Sequence, residues 1–165
     1  MPNWCSNQVT LTGPKEKIDQ LIVELQKSDN INTPYEILNV LRPRPADQEE
    51  DWYSWNVNNW GTKWDVNIGG YEIVDENTVS FTFDSAWSPP TALYDFLQEE
   101  GWTVDGYYYE PGMGYCGHYL DGDDDYYEYG GRSADEVAEM IPSDLDEMFM
   151  IVEDMRQWEE ENEEE

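Results

Sequence analysis

Positive charge is what this chain has least of. Eight Lys and Arg stand against 38 Asp and Glu, a formal net charge of −30 over 165 residues. A polyanion of this size is not drawn to nucleic acid phosphates or to an anionic membrane surface. Its natural partners are basic proteins, cations, and sites that normally hold a polyanion. Histidine occurs once and cysteine twice, and two cysteines make no disulfide framework. No apolar run approaches the ~18 residues of a membrane span. The opening "MPNWCSNQVT" has neither a positive segment nor an apolar one, so no secretory leader is expected. These absences predict a soluble protein in a reducing, cytoplasmic setting.

Catalytic signatures are scarce as well. The chain has no G-x-S-x-G, no phosphate-binding loop and no dinucleotide fingerprint. Carboxylates are so numerous that pairing any two as acid and base means nothing without geometry. The expectation is a protein that is not an enzyme and uses no cofactor; a deep pocket around His118 and Glu110 would reverse it.

What is present is aromatic. Low hydrophobicity with high net charge ordinarily signals disorder, but eight Trp, twelve Tyr and four Phe bring large areas to bury. The length suits one domain with a real core, perhaps carrying an appended segment. Val9 and Leu11 alternate with Gln8, Thr10 and Thr12, the period of a half-buried strand, and Ile18, Leu21, Ile22 and Leu25 follow at helical spacing. Residues 28–66 read as an irregular insertion broken by Pro34, Pro43 and Pro45, with Trp52, Trp55, Trp60 and Trp64 at its centre.

Strand signals return at 70–74 and at Thr78–Asp84, where Val79, Phe81 and Phe83 share a face. Pro89-Pro90 starts a second helix with Leu93, Phe96 and Leu97 on one side. Residues 103–110 and 114–120 look like strands around "PGMG", and "YYEYG" like an edge strand. Ser133 with Glu136 and Ser143 with Asp146 mark helix starts. Leu145, Met148, Phe149, Val152 and Met155 then make one stripe, facing the body or a second copy in a homodimer. The order predicts an α+β fold: a ferredoxin-like split βαβ sandwich, an antiparallel sheet with two helices on one face. Its domain covers 1–130, and 131–165 is an acidic helical extension.

"MPNWCSNQVTLTGP", "WGTKWD", "FDSAWSPP" and "YYYEPGMGYCG" in this order resemble the YubB-type ferredoxin-like domain, a family of bacteriophages and conjugative plasmids. The resemblance covers about residues 1–120. It implies a ferredoxin-like fold and a mobile-element origin, hence the cytoplasm of a host bacterial cell, and it implies no reaction.

"LDGDDDYYEYGG", Leu120–Gly131, holds four Asp and three Tyr. As an EF-hand loop counted from Asp121 it fails, because Tyr126 takes the glycine position and Arg132 the glutamate position. Cys5, Cys116 and His118 supply too few ligands, too far apart, for a structural zinc, so both cysteines read as core and no metal is expected. The tryptophans of the insertion could stack bases, but the net charge repels the phosphates, so they read as a satellite core pinning the insertion.

Charge distribution is the last signal. Residues 1–100 carry 17 acids and 6 bases, while 101–165 carry 21 acids with only Arg132 and Arg156. An ordinary solvated surface mixes both signs. Acids repeated on a stiff scaffold can stand where phosphates would, since duplex DNA carries one negative charge per ~1.7 Å of axis. The acids expected to do this are Asp121, Asp123, Asp124, Asp125 and Glu128, with Glu147, Asp154 and Glu160 on the tail. Tyr126, Tyr127 and Tyr129 would add aromatic contacts. The expectation is an anti-defence protein that mimics nucleic acid in the binding channel of a host restriction, CRISPR or similar immune complex. Two alternatives are a module that grips a basic host protein without mimicry and a solubility coat with no partner.

Overall fold

Alternate residues of β1 (Trp4–Thr12) face opposite ways, so Cys5, Asn7, Val9 and Leu11 are buried while Ser6, Gln8, Thr10 and Thr12 lie on the other side. The computed structural model of the chain describes residues 3–27 and 37–163. Pro34, Glu164 and Glu165 therefore lie outside the described residues. After β1 come α1 (Lys15–Lys27), α2 (Ile37–Leu41), α3 (Trp52–Asn59), β2 (Asn67–Asp75), β3 (Thr78–Ala86) and α4 (Thr91–Glu99). Then follow β4 (Thr103–Glu110), β5 (Tyr115–Leu120), β6 (Asp123–Glu128), α5 (Ala134–Met140), α6 (Ser143–Phe149) and α7 (Ile151–Glu163). The class is α+β. Every strand pair is antiparallel, and the six strands run in the order β2-β3-β1-β4-β5-β6.

One sheet face carries the main core. Val9, Leu11, Val79, Phe81, Phe83, Val104 and Tyr119 meet Ile18, Leu21 and Leu25 of α1 and Leu93, Tyr94 and Leu97 of α4. Phe96, expected in that stripe, is only partly buried, and Tyr94 takes its place by packing on Tyr119 with ring centroids 5.2 Å apart.

The second face is covered over β4, β5 and β6, where Cys116 and Tyr129 pack with Val137, Leu145, Ile151 and Val152 of the last three helices. Helices thus lie on both faces. The two helix starts expected in the tail become three helices, because Pro142 precedes α6 and Met150 ends it in the left-handed region at φ 55°. Ser133 and Glu136 do form a reciprocal capping box. Ser143 is not a cap: the cap position is Pro142, and the Asp146 carboxylate instead accepts the Val152 amide at 2.8 Å across the α6–α7 break.

The insertion is more regular than its prolines suggest. Asp65 reaches back to accept the Leu38 and Asn39 amides at 2.9 and 3.1 Å, satisfying the free donors at the start of α2. A 3₁₀ turn, Ala46–Gln48, leads toward α3. Of the four tryptophans, Trp60 is buried and Trp55 meets it edge-on at 5.5 Å. Trp52 and Trp64 sit at the surface, 37% and 39% exposed, so only half of the expected satellite core pins the insertion.

Gly117 on β5 decides how β4, β5 and β6 stack. A Cβ there would lie 2.2 Å from the Tyr108 hydroxyl and 2.6 Å from the Asp125 carbonyl oxygen. Gly117→Ala should therefore lower stability by about 2 kcal/mol or more, as overpacking does. Gly70→Ala, whose Cβ meets nothing nearer than 4.0 Å, should cost far less. Urea denaturation of the two variants makes the comparison.

Candidate functional site

The acidic stretch is a hairpin. Asp121 and Gly122 both adopt positive φ, 51° and 93°, which is the two-residue turn that fits the twist of antiparallel strands. Beyond it Asp123, Asp124 and Asp125 enter β6, paired with Leu120, Tyr119 and His118 of β5. The Asp-Gly dipeptide between strand-like runs is the sequence signal that would have revealed this turn.

Because strand residues alternate, the acids divide between the two faces. Asp123 and Asp125 share a face with His118 and Asp105, while Asp124, Tyr126 and Glu128 share the other with Tyr119. On the first face His118 Nε2 lies 2.6 Å from Asp105, and its ring stacks on Tyr107 at 3.9 Å. The Tyr107 hydroxyl donates to Asp144 of α6 at 2.9 Å. Burial, then the Asp144 hydrogen bond, pushes the Tyr107 pKa up to about 12. On the second face the Tyr108 hydroxyl donates to Asp124 and the Tyr119 hydroxyl to Asp95, each at 2.6 Å. Carboxylates from β4, α4, β6 and α6 thus surround one end of the hairpin.

Asp121, Asp123, Asp124, Asp125, Tyr126 and Glu128 are all exposed. Tyr127 is half-buried against the second core, and Tyr129 is 5% exposed and stacked on Tyr109, so Tyr129 is not a contact residue. Tyr126 remains the free aromatic, 52% exposed and packed on Tyr115. Asp154 lines a groove with Tyr109, Met113, Tyr129, Arg132 and Trp158, at the Glu128 end of the hairpin. Glu147 and Glu160 are exposed on α6 and α7, and no described contact joins them to the hairpin.

The four sequence blocks that carry the resemblance meet in space. Asn7 donates to the Cys5 carbonyl and the Ser85 hydroxyl, both at 2.9 Å. Ser85 donates to the Ser88 carbonyl and Ser88 to the Gly61 carbonyl, both at 2.6 Å. Trp87, at φ 71°, is an unusual conformation for a bulky residue. Its amide donates to the Asn3 carbonyl and its own carbonyl accepts from Tyr115. Glu110, 1% exposed, accepts the Gly112 and Met113 amides at 2.6 and 2.8 Å.

This clasp ties the four blocks together through hydrogen bonds. Burial pushes the Cys5 thiol up to about 12, which leaves no thiolate at neutral pH. Cys5 and Cys116 sit on opposite faces of the sheet, as do Glu110 and His118, so neither the zinc corner nor a shared pocket forms. Among the described residues no group of three or more His, Cys, Asp or Glu is placed to hold a metal ion. Nor, among them, is any helix long and apolar enough to cross a membrane.

No family model matches the chain, and no curated protein does. The chain is similar to a crystal structure of a protein called api92 from Yersinia pseudotuberculosis, of the family model DUF1281. Identity is 13%, the match covers 79% of this chain and 99% of that one, and the TM-score is 0.46. Likeness at that level supports no statement about function.

Asp124 makes a testable contribution to pH dependence. Partial burial of its carboxyl raises its pKa above the ordinary value, the Tyr108 hydrogen bond opposes this, and neighbouring Asp125 and Asp95 add to it. A raised folded-state pKa gives stability that is fully present below the unfolded value of ~3.9 and is lost as pH rises through the folded value. Asp124→Asn keeps an acceptor for Tyr108 and removes the titration. Its stability relative to the parent should therefore rise with pH above ~4, read as denaturation midpoints across that range; a constant difference would contradict the assignment.

Proposed function

We propose that this protein is a carboxylate decoy: an anti-defence protein of a phage or other mobile element that occupies the nucleic-acid-binding site of a host restriction, CRISPR or related immune complex. The observation that carries the reading is the run Asp123, Asp124 and Asp125 on a strand pinned from both faces. A strand advances ~3.4 Å per residue, and one DNA strand advances ~3.4 Å per nucleotide along its axis. Asp123 and Asp125, which share one face, therefore repeat at the axial interval of every second phosphate, while Asp124 offers its carboxylate on the other face. Asp121 stands at the turn, and Glu128 and Asp154 add negative charge near the other end.

On this reading the protein is not an enzyme, binds no nucleic acid itself and needs no cofactor. Its scaffold is a ferredoxin-like split βαβ sandwich, supported by the strand order β2-β3-β1-β4 and antiparallel pairing, enlarged by β5, β6 and the helices behind them. The resemblance to the YubB-type domain supplies the mobile-element setting.

Displacement of a fluorescent duplex from the nucleic-acid-binding subunit of such a complex, at low ionic strength, tests the reading. The parent protein should displace the duplex, with a steep loss as salt rises. Replacing Asp123, Asp124 and Asp125 together by Asn should weaken displacement at least ~10-fold, the scale of losing several charge-assisted contacts. Replacing Glu50, Glu72 and Glu76 by Gln, away from the hairpin, should change it little. Equal losses in the two variants, or no displacement from any such subunit, would overturn the proposal.

A further inference from the structure

The six-stranded sheet has two edges, β2 and β6, and they are built differently. The β2–β3 pairing shifts register between Ile68 and Gly70 and again between Ile73 and Asp75. Such bulges bend an edge and interrupt its outward row of donors and acceptors, a common protection against unwanted pairing. The β5–β6 pairing has no shift: it runs in unbroken register from Leu120 with Asp123 to Tyr115 with Glu128. Residues 123–128 are exposed apart from half-buried Tyr127. Among the described residues, no backbone hydrogen bond beyond the ladder to β5 involves them. This edge is regular, uncovered and ready to continue the sheet.

We infer that β6 accepts an extended basic segment of the partner protein, which adds to the sheet as a further strand. The inference rests on the decoy reading for the nature of the partner and names how that partner is held. A strand laid beside β6 would bring its side chains within ~5.5 Å of those on β6, on both faces of the sheet. On one face it would meet Asp123 and Asp125, and on the other Asp124 and Glu128. Lys or Arg at successive positions satisfies both faces. A second copy of β6 would set carboxylate against carboxylate, so the same side chains that recruit a cationic strand reject the protein's own edge. Tyr126, 52% exposed, offers an aromatic surface to the aliphatic stems of the incoming basic residues. Main-chain bonds would supply affinity and the alternating carboxylates specificity, as in other cases of strand addition.

The test separates backbone pairing from charge alone. The full-length protein is titrated with a dye-labelled synthetic peptide that carries Lys at successive positions, flanked by Val and Thr. A second titration uses the same peptide N-methylated at every other residue, which keeps each charge and removes the donors along one edge. N-methylation should weaken binding at least ~10-fold, because several backbone hydrogen bonds are lost at once. The unmodified peptide should also slow amide hydrogen exchange at alternate residues of 123–128.

Equal binding of the two peptides, or no binding of either, overturns the inference. So does sensitivity to methylation without protection of 123–128, which would place the added strand elsewhere. In those cases the edge carboxylates serve only to blunt β6. The decoy reading would be untouched by them, since duplex displacement is measured separately.

Discussion

A hydrogen bond threaded past a glycine holds the acidic hairpin in place. Tyr108 is buried on β4, and its hydroxyl passes over Gly117 of β5 to reach Asp124 of β6 at 2.6 Å. Any side chain at residue 117 would block that path. The anchor counts because β6 carries four carboxylates within six residues, and their mutual repulsion favours an open, solvated strand. Tyr126 packed on Tyr115 and half-buried Tyr127 packed against the second core add grip on either face. Charge pushes the hairpin outward, and tyrosines tie it back.

The same tension runs through the whole chain. Ion pairs do little to relieve it: those at Lys15, Lys27, Arg132 and Arg156 lie at the surface, where such contacts contribute little. Many acids instead serve as acceptors for otherwise unpaired backbone donors. Asp65 caps α2, Asp146 takes the Val152 amide, Glu159 takes the Ala134 amide and Glu110 closes a tight turn. A carboxylate accepting backbone N–H bonds keeps its charge at little cost. The decoy reading draws on acids without such duties, and Asp121, Asp123 and Asp125 are among them.

Periodicity made most elements legible. The alternation of Val79, Phe81 and Phe83 and the helical spacing of Ile18, Leu21 and Leu25 came from local sequence, because each element buries one face against one core. The tail defeated the same reasoning. Leu145, Phe149, Val152 and Met155 keep a helical period across a break at Met150, and one residue in the left-handed region leaves no periodic trace. The turn inside the acidic stretch went unread for a different cause. Its composition drew attention to the charges, while Asp121-Gly122, a turn signal with a steric basis, fixed their geometry. Nothing local marked Tyr129 as buried; its position depends on helices that arrive later in the chain and close over β4 and β5.

Placing acids on a strand rather than on a loose tail changes how they can be used. A disordered acidic segment must be ordered on binding, and that entropy is subtracted from whatever its charges contribute. On β6 the ladder to β5 and the Tyr108 anchor have already fixed the backbone, so the carboxylates arrive pre-spaced. Fixed spacing also discriminates. A flexible polyanion accommodates any cationic surface, whereas alternating acids on an unbroken edge favour a partner whose positive groups recur at strand or phosphate intervals. On the decoy reading, the rigidity that makes self-repulsion hardest to bear is also what would give the hairpin its selectivity.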